Sequence, residues 1–229
     1  MQSFARGLEV IRSFSAQAPQ QTLSEVAERT GLTRAGARRI LLTLQTLGYV
    51  ESDGRLFKLT ARILDLGFAY LSSMPIWNLA EPVMEALVEQ VKESCSAAVL
   101  DGTDIVYVLR VPTHKIMRNT LGVGSRLPAY CTSMGRVLLA GLPDRELDAH
   151  LAAVKPFPPT PYTLPNDGTL RAEILKVRAQ GYALIDQELE VGLRSIAVPI
   201  RNMDGKVMAA INVGAHASQV ALDDMLGRI

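Results

Sequence analysis

The chain has 229 residues, 48% of them hydrophobic and 21% charged, with a net charge of +1. That composition supports apolar cores and excludes a disordered chain. No apolar run approaches the roughly 18 residues of a membrane span, and the opening MQSFARGLEVIRSF lacks the apolar stretch and cleavage site of a signal peptide, so no membrane partner and no leader are expected.

Cys95 and Cys131 lie far apart, and the expectation is two free thiols in a reducing cytoplasm. His114, His150 and His216 show no metal-ligand spacing, so neither metal nor cofactor is expected. The length fits one large domain or two smaller ones. Residues 1–60 carry eight Lys/Arg against five Asp/Glu, the remainder 16 against 18. A small basic head on a mildly acidic body suits a nucleic-acid-binding module joined to something else.

In chain order, residues 7–15 place Leu8, Ile11 and Phe14 at helical spacing, and APQQ breaks that helix. TLSEVAERTG follows, with Thr22 and Glu25 at capping-box spacing and Gly31 as the stop. Thr33 is the expected N-cap of a third helix. A short helix, a tight turn containing glycine and a second helix form the helix-turn-helix signature. On a helical wheel, Ala37, Ile40, Leu41, Leu44 and Leu47 gather on one side of the third helix. Arg34, Arg38 and Gln45 gather opposite, flanked by Ala35, Arg39 and Thr46, with Leu42 breaking the pattern. A helix in the major groove needs this division: one face fixes it to the core, the other reaches phosphates and base edges. Arginine suits both contacts through its planar fork. Ala35 and Gly36 are small, which allows a close approach to the DNA backbone. Asp53 and Gly54 then join two short strands, GYVES and RLFKL, as a hairpin. Three helices and a hairpin make a winged helix-turn-helix, with Arg55 and Lys58 on the wing. The expected DNA contacts are Thr22, Ser24, Thr33, Arg34, Arg38, Arg39, Arg55 and Lys58. A solvated basic helix face is the plainer alternative, and the hairpin that follows argues against it.

TARILDLGFAYLSS reads as a linker and dimerisation helix, ended by Pro75. The body reads as α+β. Helices are expected at 79–93, 133–140, 147–154 and 170–180, and strands at 97–100, 105–111, 182–186, 195–200 and 206–213. DGTD and RNMDG mark two turns. Residues 155–167 hold five of the twelve prolines and must be loop. Strands in pairs with helices between them suggest one antiparallel sheet flanked by helices.

The head, the linker and GSRLPAYCTSMGRVLLAGL together resemble the IclR family of bacterial transcriptional regulators, over nearly the whole chain. With QGYALIDQELEVGLRSIAVPI, the resemblance narrows to the subgroup controlling aromatic-acid catabolism through the β-ketoadipate pathway, the protocatechuate and 4-hydroxybenzoate regulators. It implies an α/β multi-domain protein: a winged helix-turn-helix at 1–59, a linker helix at 60–76, and at 77–229 an α+β effector-binding and oligomerisation domain of GAF or profilin-like type with an antiparallel sheet. It also implies a chain continuing beyond Ile229.

In PAYCTSMGR, Pro128 bends the chain and Thr132 or Ser133 caps the next helix, whose N-terminus is a ready anion site. A carboxylate at the amides of Ser133 and Met134, with the ring against Met134 and Ile185, accommodates an aromatic acid. Phenolic hydroxyls then need partners, because burying one unpaired costs about 1–3 kcal/mol. Asn119, Ser195 and Asn212 are the candidates. By resemblance, Asn119, Ser133, Met134, Ile185, Ser195 and Asn212 line the pocket, with Tyr130 and Thr132 from the same segment. For each, a purely structural role is the alternative. Arg110, Arg118, Arg136 and Arg194 are further candidate carboxylate partners. The acidic run Asp186, Glu188, Glu190 is read as a loop partner for arginines or a dimer contact.

Enzyme readings are weaker. GVGSRL is half of a dinucleotide motif and does not clearly open a helix after a strand. CTSMG lacks the first glycine of a nucleophile elbow. No histidine stands in a setting that would complete a triad with Ser133, and Asp223 with Asp224 suits a helix first turn. The sequence therefore points to a cytoplasmic, homodimeric or tetrameric regulator. It binds a double-stranded operator and answers to a small aromatic or dicarboxylic acid of the protocatechuate, 4-hydroxybenzoate or β-ketoadipate type. The rivals are an enzyme acting on the same acids and a ligand-independent DNA-binding protein.

Overall fold

The computed structural model describes residues 2–74, 76–113, 121–154, 157–166 and 168–228, in two compact units, Met1–Met74 and Pro75–Ile229.

The first unit begins with helix α1 (Gln2–Arg12), strand β1 (Gln20–Thr22) and helices α2 (Leu23–Thr30) and α3 (Arg34–Thr46). Strands β2 (Val50–Ser52) and β3 (Leu56–Leu59), a 3-10 turn (Ala61–Ile63) and helix α4 (Leu64–Ser72) complete it. The start of α2 is a full capping box: the Thr22 hydroxyl accepts from the Glu25 amide at 3.3 Å, and the Glu25 carboxylate accepts from the Thr22 amide at 2.7 Å. Gly31 ends it at φ 64°, a left-handed conformation that only glycine adopts cheaply. Thr33 caps α3 by accepting from the Gly36 amide at 3.1 Å. Gly36 itself faces that cap, since a Cβ there would stand 3.2 Å from the Thr33 hydroxyl.

Ala37, Leu41 and Leu44 of α3 are buried with Val10, Phe14, Val26, Ala27 and Val50. Each large apolar side chain so buried stabilises by about 1.5–3 kcal/mol. Leu47, expected on that face, is instead the helix C-cap and 51% exposed. The first helix runs earlier than its periodicity suggested. The segment read as a simple break contains β1, which pairs antiparallel with β3 (Gln20 opposite Lys58) and makes β3 the middle strand of three. Gln21 is buried there, donating to the Ser13 carbonyl at 3.1 Å.

The second unit runs α5 (Ile76–Val91), β4 (Ser94–Asp101), β5 (Asp104–Val111), β6 (Arg126–Pro128), α6 (Ser133–Ala140) and α7 (Asp144–Ala153). Then come α8 (Thr169–Gln180), β7 (Ala183–Asp186), β8 (Leu193–Arg201), β9 (Val207–His216) and the short α9 (Leu222–Met225). The sheet order is β6-β5-β4-β9-β8-β7, antiparallel throughout. One face carries Ala98, Ala183, Ala197 and Ala210, small enough to let α6 lie close, with α8 packed outside it. The other face buries Ile196, Val213 and Ala215 with Met225, and Leu87 and Val91 of α5 join them.

Two details of this unit position the site. Gly135, in the first turn of α6, abuts the Ala129 carbonyl so closely that a Cβ would lie 2.1 Å from its oxygen. In the β4/β5 pair, Ser96 faces Arg110 but Ala98 faces Tyr107, so β5 carries one extra residue, a β-bulge at Val108. Tyr107 and Arg110, three apart, therefore share a face. The short strand β6 was not expected from the sequence. No helix among the described residues is long and apolar enough to cross a membrane.

Candidate functional site

On the head, α3 turns its arginines away from the core. Arg34, Arg38 and Arg39 are exposed, and among the described residues neither they nor Arg55 form an ion pair. Uncompensated positive charge of this kind attracts a polyanion. The other expected contacts differ in what their side chains already do. Thr22 and Thr33 are helix caps, and Ser24 is exposed in the first turn of α2. Lys58 is exposed but pairs with Glu51 at 2.7 Å, and that hydrogen bond raises its pKa. Arg55 follows the wing turn, where the amides of Leu56 and Arg55 donate to the Asp53 carboxylate and hold its pKa low.

The root of the linker carries contacts that were not expected from the sequence. The Thr60 hydroxyl donates to the Gly48 carbonyl at 2.6 Å, and the Thr60 amide to the Tyr49 carbonyl at 3.0 Å. The Arg62 guanidinium lies over the Tyr49 ring, 5.5 Å from its centre.

In the second unit, a cavity of about 170 Å³ opens between the N-terminus of α6, the sheet face and the loop before β8. That is close to the ~150 Å³ of a protein cavity known to take one benzene molecule. Six of the eight expected residues line it: Thr132, Ser133, Met134, Ile185, Ser195 and Asn212. Tyr130 is a correction. It is 5% exposed, does not line the cavity, and its hydroxyl donates to the Phe157 carbonyl. Asn119 lies outside the described residues.

Thr132, not Ser133, is the cap of α6: its hydroxyl accepts from the Gly135 amide at 3.2 Å and donates to the Pro128 carbonyl at 3.0 Å. Ser133 is therefore the first helical residue, and its amide and that of Met134 have no intrahelical acceptor. The hydroxyl of Ser133 and the side-chain carbonyl of Asn212 are buried without a hydrogen-bond partner among the described residues. Buried polar atoms are nearly always paired, so two orphans in one cavity are positions where a ligand's polar groups fit.

Of the four arginines considered as carboxylate partners, two are spoken for. Arg136, 2% exposed, donates to Glu188 at 2.5 Å and to the Tyr130 carbonyl at 3.1 Å, while Glu188 also accepts from the Leu164 amide. Arg194 donates to Asp186 at 2.6 Å and to the Val220 carbonyl at 2.7 Å. Asp186 and Glu188 are thus loop partners for arginines, one of the two roles expected for that run. Arg118 lies outside the described residues. Arg110 lines the cavity.

Nucleophilic chemistry finds little support here. Both thiols are free and buried, and burial pushes Cys131 up to about 11 and Cys95 up to about 12, so neither is a thiolate at neutral pH. Among the described residues, the Ser133 hydroxyl has no hydrogen-bond partner that could act as an activating base.

A basic helix on a winged head, joined to a unit with a small cavity of mixed polar and apolar lining, is the arrangement of a ligand-responsive DNA-binding regulator. Residues 3–54 match the IclR helix-turn-helix domain, and residues 68–227 match the C-terminal domain of the bacterial transcriptional regulator IclR. The chain belongs to the IclR family of transcriptional regulators. It is 45% identical to the Pca regulon regulatory protein of Pseudomonas putida over 98% of this chain and 78% of that one. It is 36% identical to the p-hydroxybenzoate hydroxylase transcriptional activator of Acinetobacter baylyi, over 94% of this chain and 82% of the relative. Among solved structures, an IclR homologue of Microbacterium hydrocarbonoxydans complexed with 4-hydroxybenzoate superposes with a TM-score of 0.85 at 25% identity, covering 99% of this chain and 95% of that one.

Proposed function

We propose that the protein is a cytoplasmic homodimer or tetramer whose paired heads, residues 1–59, bind an operator through the arginine face of α3 and the wing. Residues 60–76 link each head to an effector-binding and oligomerising body, residues 77–229. The effector is a small aromatic or dicarboxylic acid, and the genes controlled are those of aromatic-acid breakdown. The observation that carries the effector reading is the pair of buried, unpartnered atoms, the Ser133 hydroxyl and the Asn212 carbonyl, in a cavity sized for one substituted ring. The relatives named for the Pca regulon and for p-hydroxybenzoate hydroxylase, and the relative holding 4-hydroxybenzoate, support the choice of acid.

For the operator, Arg34, Arg38 and Arg39 are the contacts favoured by exposure and free charge. Thr22, Thr33 and Lys58 already have partners within the head and play a lesser part. The effector acts only to the extent that it binds one head arrangement better than the other; such couplings are typically about 1–3 kcal/mol.

The test is a thermal-shift screen of protocatechuate, 4-hydroxybenzoate and β-ketoadipate, followed by operator titration with and without the acid that binds. One acid is expected to raise the melting temperature and to change operator affinity by roughly 5- to 150-fold. Operator binding with no response to any acid would establish the ligand-independent rival. Turnover of an acid by the purified protein would establish the enzyme.

A further inference from the structure

We infer that Arg110 is the residue by which the effector cavity selects for negative charge, and that Ser96 is its positioning residue. The inference rests on the effector reading above and deepens it by assigning the charge-reading group.

Arg110 reaches the cavity only because of the bulge at Val108. In an unbroken β5, residues on the face of Tyr107 would be Ile105 and Leu109; the extra residue hands that face to Arg110 instead. Bulges commonly re-aim side chains at sites. Once there, its guanidinium donates to the Ser96 hydroxyl at 3.2 Å across the strand pair. That contact leaves most of its donors free, and among the described residues no carboxylate pairs with it. Arg136 and Arg194 are held by Glu188 and Asp186, and so bring no net charge to a ligand.

The rest of the wall favours the same place. Glu190 also lines the cavity and disfavours an anion near it. The N-terminus of α6 offers amides and about half a positive charge, whereas Arg110 offers a full one in a fork that matches a carboxylate. The helix end favours an anion less strongly than Arg110 does, and the orphan Asn212 carbonyl accepts from a neutral donor, not from a carboxylate. Arg110 discriminates between a small carboxylate and its uncharged amide.

The test compares each acid with its own amide on the full chain: 4-hydroxybenzoate with 4-hydroxybenzamide, protocatechuate with its amide, adipate with adipamide. Affinities are read by calorimetry. The unaltered protein is expected to prefer at least one acid over its amide by tenfold or more. In Arg110→Met that preference falls to near unity because acid binding weakens while amide binding stays within about twofold. Arg110→Lys retains part of it. Ser96→Ala narrows it, and Ser96→Thr, which keeps the hydroxyl, restores it. Ligand-free operator binding reports whether each variant is folded. Arg110→Met that keeps the full acid preference, or that weakens acid and amide equally, overturns the inference. An unaltered protein that binds neither acids nor amides overturns the effector reading itself.

Discussion

At the scale of single residues, position on an element and availability for a ligand are different properties. The α3 arginines combine both, since the helix buries Ala37, Leu41 and Leu44 and leaves Arg38 exposed, without a carboxylate partner among the described residues. Arg38→Ala is expected to cost about 1–3 kcal/mol of operator binding if it reads a base, with relaxed specificity at one position. If it meets only phosphate, the loss is even across sequences and the salt slope shrinks by about one. Titration against specific and scrambled duplexes at two salt concentrations separates these, and unchanged affinity removes Arg38 from the interface. Tyr130 shows the converse. Its place in PAYCTSMGR was legible, but its orientation depends on where the distant Phe157 carbonyl lies, which no local pattern encodes. Arg110 was legible only as one arginine among several, because a bulge leaves no periodicity to read.

His150 gives a pH prediction at the same scale. Burial pulls its imidazole below the usual value near 6.5, and its Nε2 is buried without a partner. The folded protein keeps the ring neutral while the unfolded chain takes up a proton, so stability holds above about pH 6.5 and declines below it. Urea unfolding of the second unit is expected to show a falling midpoint between pH 7.5 and 5.5, with a shallower decline in His150→Gln. Equal slopes for the two proteins would mean that other groups set the pH dependence.

At the scale of elements, what could be read were the helices with explicit ends. Thr22 with Glu25, Gly31 and Thr33 all act at the helix ends where their chemistry placed them. The two short strands β1 and β6 escaped, since three residues carry no alternation and are strands only because a neighbour offers its backbone. The placement of α6 depends on a close approach that sequence shows merely as one more glycine. Gly135→Ala would force a methyl group into the Ala129 carbonyl, whose oxygen lies 2.1 Å from the Cβ position. The expected loss is roughly 3 kcal/mol, the upper end for overpacking, because the obstacle is backbone. Calorimetry should register it as a lower melting temperature, with effector affinity reduced as well; a variant that melts normally would mean the α6 turn can shift freely.

At the scale of the whole molecule, α4 exposes Leu64, Leu66, Phe68 and Tyr70 at 69, 50, 69 and 47%, and buries none of its residues in the chain. Leu64 and Phe68 stand on one side of the helix and Leu66 and Tyr70 on the opposite side; exposed apolar area of this kind marks an association surface, consistent with the proposed pairing of heads. Phe68→Glu is expected to shift sedimentation toward the monomer and to weaken operator binding at least tenfold, since one head then meets one half-site alone. A variant that sediments and binds like the unaltered protein would place the contact elsewhere. The helix was visible in sequence; that its apolar residues stay exposed was not.

The knot of contacts where α4 takes root has a mechanical corollary. Thr60 bonds to the carbonyls of Gly48 and Tyr49, and Arg62 rests on the Tyr49 ring, so the base of the linker is riveted to the residues just past the recognition helix. Torque arriving along the linker has no slack joint in which to dissipate there. On the proposed operator reading, a twist of the linker would reach α3 as tilt and displace the tips of its arginines.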